Sequence, residues 1–365
     1  MKIILIIMLF ITNLAFSQTP MPFVQDGKVG YIDYTGKIVL EPKFDTPFHK
    51  LYLVFGTDSF PSFDFPQWAY FSEGKATVRI AKKLWFYTYG YEYAVINEKG
   101  EFIFEPSDDI IGSFREDIAP YQSLLKTFEY KYAEKFGMIN TKGEIFIEPQ
   151  FDYISHFSNN RALVMMKDKY GYINKCGKVV IPLNFIDAGI FTDELTFAKQ
   201  NKLYGYIDTS GNFVIPEKFA TAYNFVNGIA RYFDGNLFGY LKLYKSGEYI
   251  NIKNLTDKKF LDAYDFSEGI ACVRDFSKYY GYINEQGEYA IEPKFLYAAP
   301  FSEGLAVASE GKHFGFIDKN GNFVIKAEYD FAQNFRNGIA KVWKNRKLYF
   351  INKNNQIIYS FNLKY

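Results

Sequence analysis

The sequence predicts an all-β fold: tandem antiparallel β-meander repeats of about 34 residues, eight to nine copies, stacked into a solenoid, superhelical or propeller-like array. Three observations predict it. A phrase read as Gly30-Tyr31-Ile32-Asp33, Gly171-Tyr172-Ile173-Asn174, Gly205-Tyr206-Ile207-Asp208, Gly281-Tyr282-Ile283-Asn284 and Gly315-Phe316-Ile317-Asp318 recurs along the chain. With weaker copies its anchors fall at 30, 94, 137, 171, 205, 239, 281, 315 and 349, and five of the eight steps are 34 residues. No window carries the 3.6-residue apolar period of an amphipathic helix.

The elements follow in chain order. Met1-Lys2, the apolar run Ile3 to Ile11, and the small residues Ala15 and Ser17 before Gln18 have the three parts of a secretory signal peptide. Residues 1–17 are therefore expected to be removed and residues 18–365 to form the repeat array outside the cytoplasm, in the periplasm, on the surface or beyond it. No later run is long and apolar enough for a membrane-spanning helix.

Within each repeat the third column is Ile or Leu, suited to a buried strand. The fourth is Asp or Asn, and a glycine falls six after the anchor at Gly36, Gly143, Gly177, Gly211, Gly287 and Gly321. Asp/Asn-x-x-Gly is the chemistry of a tight hairpin. The side chain accepts a backbone amide two residues on, and the glycine takes positive φ. The anchors Gly30, Gly137, Gly171, Gly205, Gly281 and Gly315 sit inside the strand before that turn. An apolar strand such as Val179-Val180-Ile181 comes next, and Pro42, Pro106, Pro149, Pro182, Pro216 and Pro293 are expected to stop it. A second phrase, Phe301-Ser302-Glu303-Gly304-Leu305-Ala306, opens the following strand. Each repeat supplies three strands, with room for a fourth near the Phe-Asp column of Phe151-Asp152.

This combination resembles the WG-repeat (WG-containing β-repeat) family. The residue before the anchor is Tyr170, Tyr204, Tyr280, Phe136, Phe238 or Phe314 rather than Trp, and another aromatic can pack in the same place. The resemblance implies an all-β repeat array, often exported, acting as an interaction scaffold, with no catalytic residues to carry over. A unit of 34 residues is shorter than a familiar propeller blade, which favours an open or loosely closed array.

The formal net charge is +1, with 42 Lys+Arg against 41 Asp+Glu, so nucleic acid is not an expected partner. The three histidines show no metal spacing, and neither a metal nor a cofactor is expected. His49 and His156 share a repeat phase, but that column also holds Ser113, Ile190, Asn224, Asp265, Pro300 and Asn334, the variability of a polar surface position. A calcium ladder on the Asp/Asn column would need several carboxylates per turn, and each turn supplies one side chain. No nucleophile elbow or phosphate loop is present, so the chain reads as a non-enzyme. Cys176 sits in a turn and Cys272 in an apolar strand, settings that disfavour a bridge.

Aromatic residues are 20% of the chain, with 39 Phe and 31 Tyr, and most recur at fixed phases as packing. Aromatics outside the period lie in the insertion at 51–70 between the first and second repeats. Phe60, Phe63, Phe65 and Trp68 are the candidate binding residues there, because loops on a rigid scaffold carry function. The expected partner is another protein. A glycan stacked on surface aromatics is the alternative, to be judged by whether Tyr172, Tyr206 and Tyr282 form an exposed row.

Overall fold

In the computed structural model the described residues are 19–25, 27–45, 51–55, 58–62, 71–84, 87–126, 132–246 and 249–362. All regular structure among them is β. The expected signal peptide lies outside the described residues.

One repeat explains the rest. A two-residue strand, Tyr153–Ile154, pairs with Ala162–Met166, then Lys169–Ile173, then the edge strand Val179–Phe185, all antiparallel. The fourth strand suspected near the Phe-Asp column is therefore real. It directly follows Phe151-Asp152 and belongs to the next sheet, so the sequence repeat and the folded unit are out of phase.

The turn after each Gly-Tyr-Ile-Asp strand has the expected chemistry. Asp318 Oδ1 accepts the amides of Asn320 at 2.9 Å and Asn322 at 3.0 Å. Asn140 Oδ1 does the same for Lys142 and Glu144. The glycines Gly36, Gly143, Gly177, Gly211, Gly287 and Gly321 all take positive φ. Proline, however, does not end the outer strand. Pro182 lies inside Val179–Phe185, where the register slips between Tyr172↔Ile181 and Tyr170↔Phe185. An edge strand with a bulge tolerates proline because no ladder hydrogen bond is asked of it. The bulge also explains the anchor glycines. A Cβ at Gly171 would lie 2.7 Å from the Ile181 carbonyl oxygen, and one at Gly205 2.4 Å from that of Ile215.

Val179 and Val180 point to opposite faces of the edge strand, yet both are exposed. That strand stands free on two sides, at the outer rim. The two-residue strands lie at the inner end, where every strand residue but Tyr153 is half-buried or buried.

Seven four-stranded sheets and one six-stranded sheet make up the array, with a small hairpin of Leu51–Phe55 and Asp58–Ser62 in the first insertion. The six-stranded sheet holds two meanders, 21–45 and 75–107, joined by the single pair Asp45↔Arg79. The eight sheets thus contain nine meander units, one per sequence anchor. The remaining units are 110–151, 153–185, 187–219, 221–254, 262–295, 297–329 and 331–362.

The hydrophobic cores lie between units, as repeats that cannot bury a face alone require. Leu163, Tyr172, Ile181 and Phe185 of unit four pack against Ala188, Phe191, Ala198 and Ile207 of unit five. Each neighbouring pair has its cluster, and so do the two ends: Met21, Phe23 and Ile32 of unit one pack with Phe331, Ile339, Trp343, Leu348 and Phe350 of unit nine. An open stack of nine units would have eight interfaces. The ninth closes the ring, so of the open and closed arrangements the repeat spacing left available the closed one is adopted. Phe23 meets Tyr359 edge-on at 5.0 Å, and Gly36 abuts Ile358 as Gly211 abuts Ile181. The structure is a closed β-propeller.

Candidate functional site

Of the residues singled out for binding, Phe60 lies on the insertion hairpin, where its backbone pairs with Leu53. Phe63, Phe65 and Trp68 lie outside the described residues, as does His49. The tyrosines proposed as a stacking row are fully buried. Each instead ties its unit to the next. Tyr172 Oη donates to the Gly189 carbonyl at 2.7 Å, Tyr206 Oη to Tyr223 O at 2.9 Å, Tyr240 Oη to Tyr264 O at 2.6 Å and Tyr282 Oη to Ala299 O at 2.7 Å. Burial pushes these hydroxyls well above the ordinary tyrosine pKa. The exposed-row support for glycan stacking is therefore lost.

The column of His156 is not a surface position either. His156 is half-buried, and its Nε2 lies 2.6 Å from the Ser113 carbonyl of the preceding unit. Desolvation lowers its pKa. Asn334 Nδ2 makes the corresponding reach to Pro300 O at 2.9 Å. A variable column can still be structural, because each residue type finds its own inter-unit bond.

The Phe-Ser-Glu-Gly phrase proves to be the principal staple. Its Ser-Glu-Gly-x segment is a two-residue turn with positive φ at both centres, as at Glu303 (55°) and Gly304 (86°). Glutamate is an unusual choice for that backbone, and its carboxylate explains it. Glu268 accepts the Gly304 amide at 3.1 Å, Glu303 that of Gly338 at 2.9 Å, and Glu73 those of Glu116 and Asp117. The preceding hydroxyl reaches the same neighbour: Ser72, Ser267 and Ser302 donate to the carbonyls of Phe114, Phe301 and Phe335, each at 2.7 Å. Sequence spacing displayed this phrase but not its direction across the seam.

With this architecture in place, the chain can be compared with known proteins. The WG containing repeat matches residues 30–46, 136–170, 170–204, 204–238, 280–312 and 314–347, more than half of the chain. The chain belongs to the WG-repeat family. No curated protein matches its sequence. Among solved structures, the crystal structure of a eukaryotic initiation factor aligns with 94% of this chain and 96% of its own, at TM-score 0.54 and 8% identity. That likeness concerns the fold alone. Kluyveromyces lactis Hsv2 aligns with 66% of this chain and 87% of its own (TM-score 0.35, 10% identity). The WD40 β-propeller domain of Doa1 aligns over 57% and 81% (TM-score 0.29, 12% identity).

On this WG-repeat propeller the repeated exposed feature is apolar and lies on the rim. Nine residues after six of the nine anchors stand Val39, Ile103, Phe146, Val180, Val214 and Val324, all exposed. In units two to four the preceding residue, Phe102, Ile145 or Val179, is exposed as well. Exposed apolar residues recurring at one repeat phase mark an interaction surface more often than singly scattered ones do. Paired valines in sequence read as core, which is why the belt was missed. Among the described residues no group of His, Cys, Asp and Glu is arranged to hold a metal. Cys176 is exposed, Cys272 is buried, and no disulfide joins them.

Proposed function

We propose that this WG-repeat propeller is an exported, non-enzymatic scaffold whose rim belt docks an apolar surface of a partner protein. The carrying observation is the belt at one repeat phase, densest from Phe102 to Val214. The repeat propeller fold supports the scaffold reading. Pro182 and its equivalents withhold backbone amides, and the bulged edges resist strand addition. Side-chain packing is therefore the contact mode. Export rests on the N-terminal pattern at residues 1–17, and no helix among the described residues is long and apolar enough to cross a membrane.

The test is affinity capture from native envelope and culture-supernatant fractions. Three baits are compared: wild type, the belt variant Phe146→Lys/Val180→Lys, and a variant lacking residues 63–68. A prey kept by the deletion and lost by the belt variant supports the rim. A prey lost only by the deletion returns the site to the insertion. N-terminal sequencing of secreted material should begin at Gln18, and an intact Met1 would contradict export by cleavage.

A further inference from the structure

One seam of the ring carries neither the tyrosine hydroxyl bond nor the turn carboxylate bond described above. Between units three and four, Met138 stands where Tyr172, Tyr206, Tyr240 and Tyr282 stand elsewhere. Those tyrosines meet the next unit's phrase phenylalanine at ring distances from 4.9 to 5.4 Å. Phe157 has no such partner, and it is half-buried where Phe71, Phe114, Phe191, Phe225, Phe266, Phe301 and Phe335 are buried.

The carboxylate has also let go. Glu268 and Glu303 cap the neighbouring turn amide and keep side-chain exposures of 29% and 24%. Glu116 caps neither Asn159 nor Asn160, is 75% exposed, and holds only Lys175 at 3.1 Å. The hydroxyl bond is absent from this seam as well, because Arg115 of unit three stands where Ser72, Ser267 and Ser302 donate to the next unit. What these departures leave is a hollow of about 250 Å³ lined by Glu116, Phe157, Ser158, Asn159, Asn160 and Lys175.

We infer that this hollow is a binding site for a single neutral sugar ring, free or at the end of a glycan. The lining carries one positive and one negative side chain already paired with each other. A charged ligand would have to break that pair, whereas hydroxyl groups can donate to Glu116 and accept from Lys175 while it stays intact. Asn159, Asn160 and Ser158 supply both donors and acceptors. The volume admits one such ring, and the site is separate from the apolar belt on the rim.

The experiment is saturation-transfer NMR on the full mature chain with glucose, galactose, mannose and N-acetylglucosamine, and with the dipeptide Gly-Phe as a zwitterionic comparison. At least one sugar should show transfer. The signal should fall at least fivefold in Ser158→Arg and in Glu116→Ala, and persist in the rim variant Val180→Ser. Arginine already occupies the Ser158 position in units three and nine, as Arg115 and Arg336, so Ser158→Arg fills the hollow with a residue the repeat accepts. Melting curves confirm that each variant is folded. Transfer from no sugar, transfer from Gly-Phe alone, or sugar transfer unchanged in both hollow variants would overturn the proposal. None of these outcomes bears on the rim-belt reading.

Discussion

Replacing Tyr282 with Phe isolates one inter-unit hydrogen bond. The side chain is fully buried, and its hydroxyl lies 2.7 Å from the Ala299 carbonyl of the next unit. The ring itself contacts Phe301 edge-on at 4.9 Å and 63°, a contact phenylalanine keeps. Only the hydroxyl is lost, so neither cavity nor strain of note is created. Removing one partner of a buried hydrogen bond costs about 1–3 kcal/mol, through the carbonyl left without a donor. Unit eight shows that the position accepts the smaller residue: Phe316 sits there naturally, 4.8 Å from Phe335. Equilibrium urea unfolding should give a lower midpoint at unchanged slope, the sign of lost stability rather than a changed unfolded state. The double variant Tyr206→Phe/Tyr282→Phe should lose nearly the sum, because the two bonds lie in different seams. A Tyr282→Phe midpoint indistinguishable from wild type would refute the claim that these hydroxyls hold the seams.

Two further outcomes follow from the turns. Gly171→Ala places a Cβ against backbone on the bulged strand, 2.7 Å from Ile181 O and 2.8 Å from Leu183 N, and should cost about 3 kcal/mol or more. Gly304→Ala meets nothing within 4 Å and should cost only the positive-φ penalty of about 1 kcal/mol, so equal melting temperatures for the two variants would contradict the assignment. The amide of Asn322, and behind it that of Asn320, holds the Asp318 carboxyl below its usual range. A carboxyl with a depressed folded pKa contributes stability above its unfolded pKa and loses it as pH falls through the folded value. Asp318→Asn should therefore melt like wild type at neutral pH and decline less between roughly pH 5 and pH 3, near the unperturbed carboxyl pKa. An equal decline in both proteins would count against that turn as a pH-sensitive contact.

What the sequence disclosed was local. The Asp/Asn-x-x-Gly turns needed only neighbouring amides and one positive φ, so their chemistry stood in the spacing of Asp33 and Gly36 or Asp318 and Gly321. Features set across a seam were hidden. Tyr172 and Val180 both read as strand residues, and only the splay of the blades decides that the first is buried and the second exposed. The two-residue inner strands are too short for a periodic signal. Pro182 signals a strand end until a bulge on an edge strand accommodates it. Ring closure depends on the rotation from one unit to the next, which no single repeat encodes. The sugar hollow was legible only by contrast: Met138 in a column of tyrosines and Asn159-Asn160 in place of Glu-Gly were visible departures, but their coincidence at one place required the fold. The candidate aromatics of the first insertion, Phe60, Phe63, Phe65 and Trp68, were chosen for being off-period. The feature the fold places at the surface, the rim belt, was on-period.

Ring closure is the claim on which the rest depends, and a single engineered bond tests it. A Cβ at Gly338 in unit nine would lie 3.6 Å from Tyr34 Cβ in unit one, within the span of about 3.5–4.5 Å that a disulfide requires. Tyr34→Cys/Gly338→Cys, in a background carrying Cys176→Ser, should form an intramolecular disulfide under mild oxidation. It would appear as a faster-migrating monomer on a non-reducing gel that reverts with reductant. Two free thiols at those positions in the folded, oxidised protein, or a bond formed only between molecules, would mean that the first and last units do not meet.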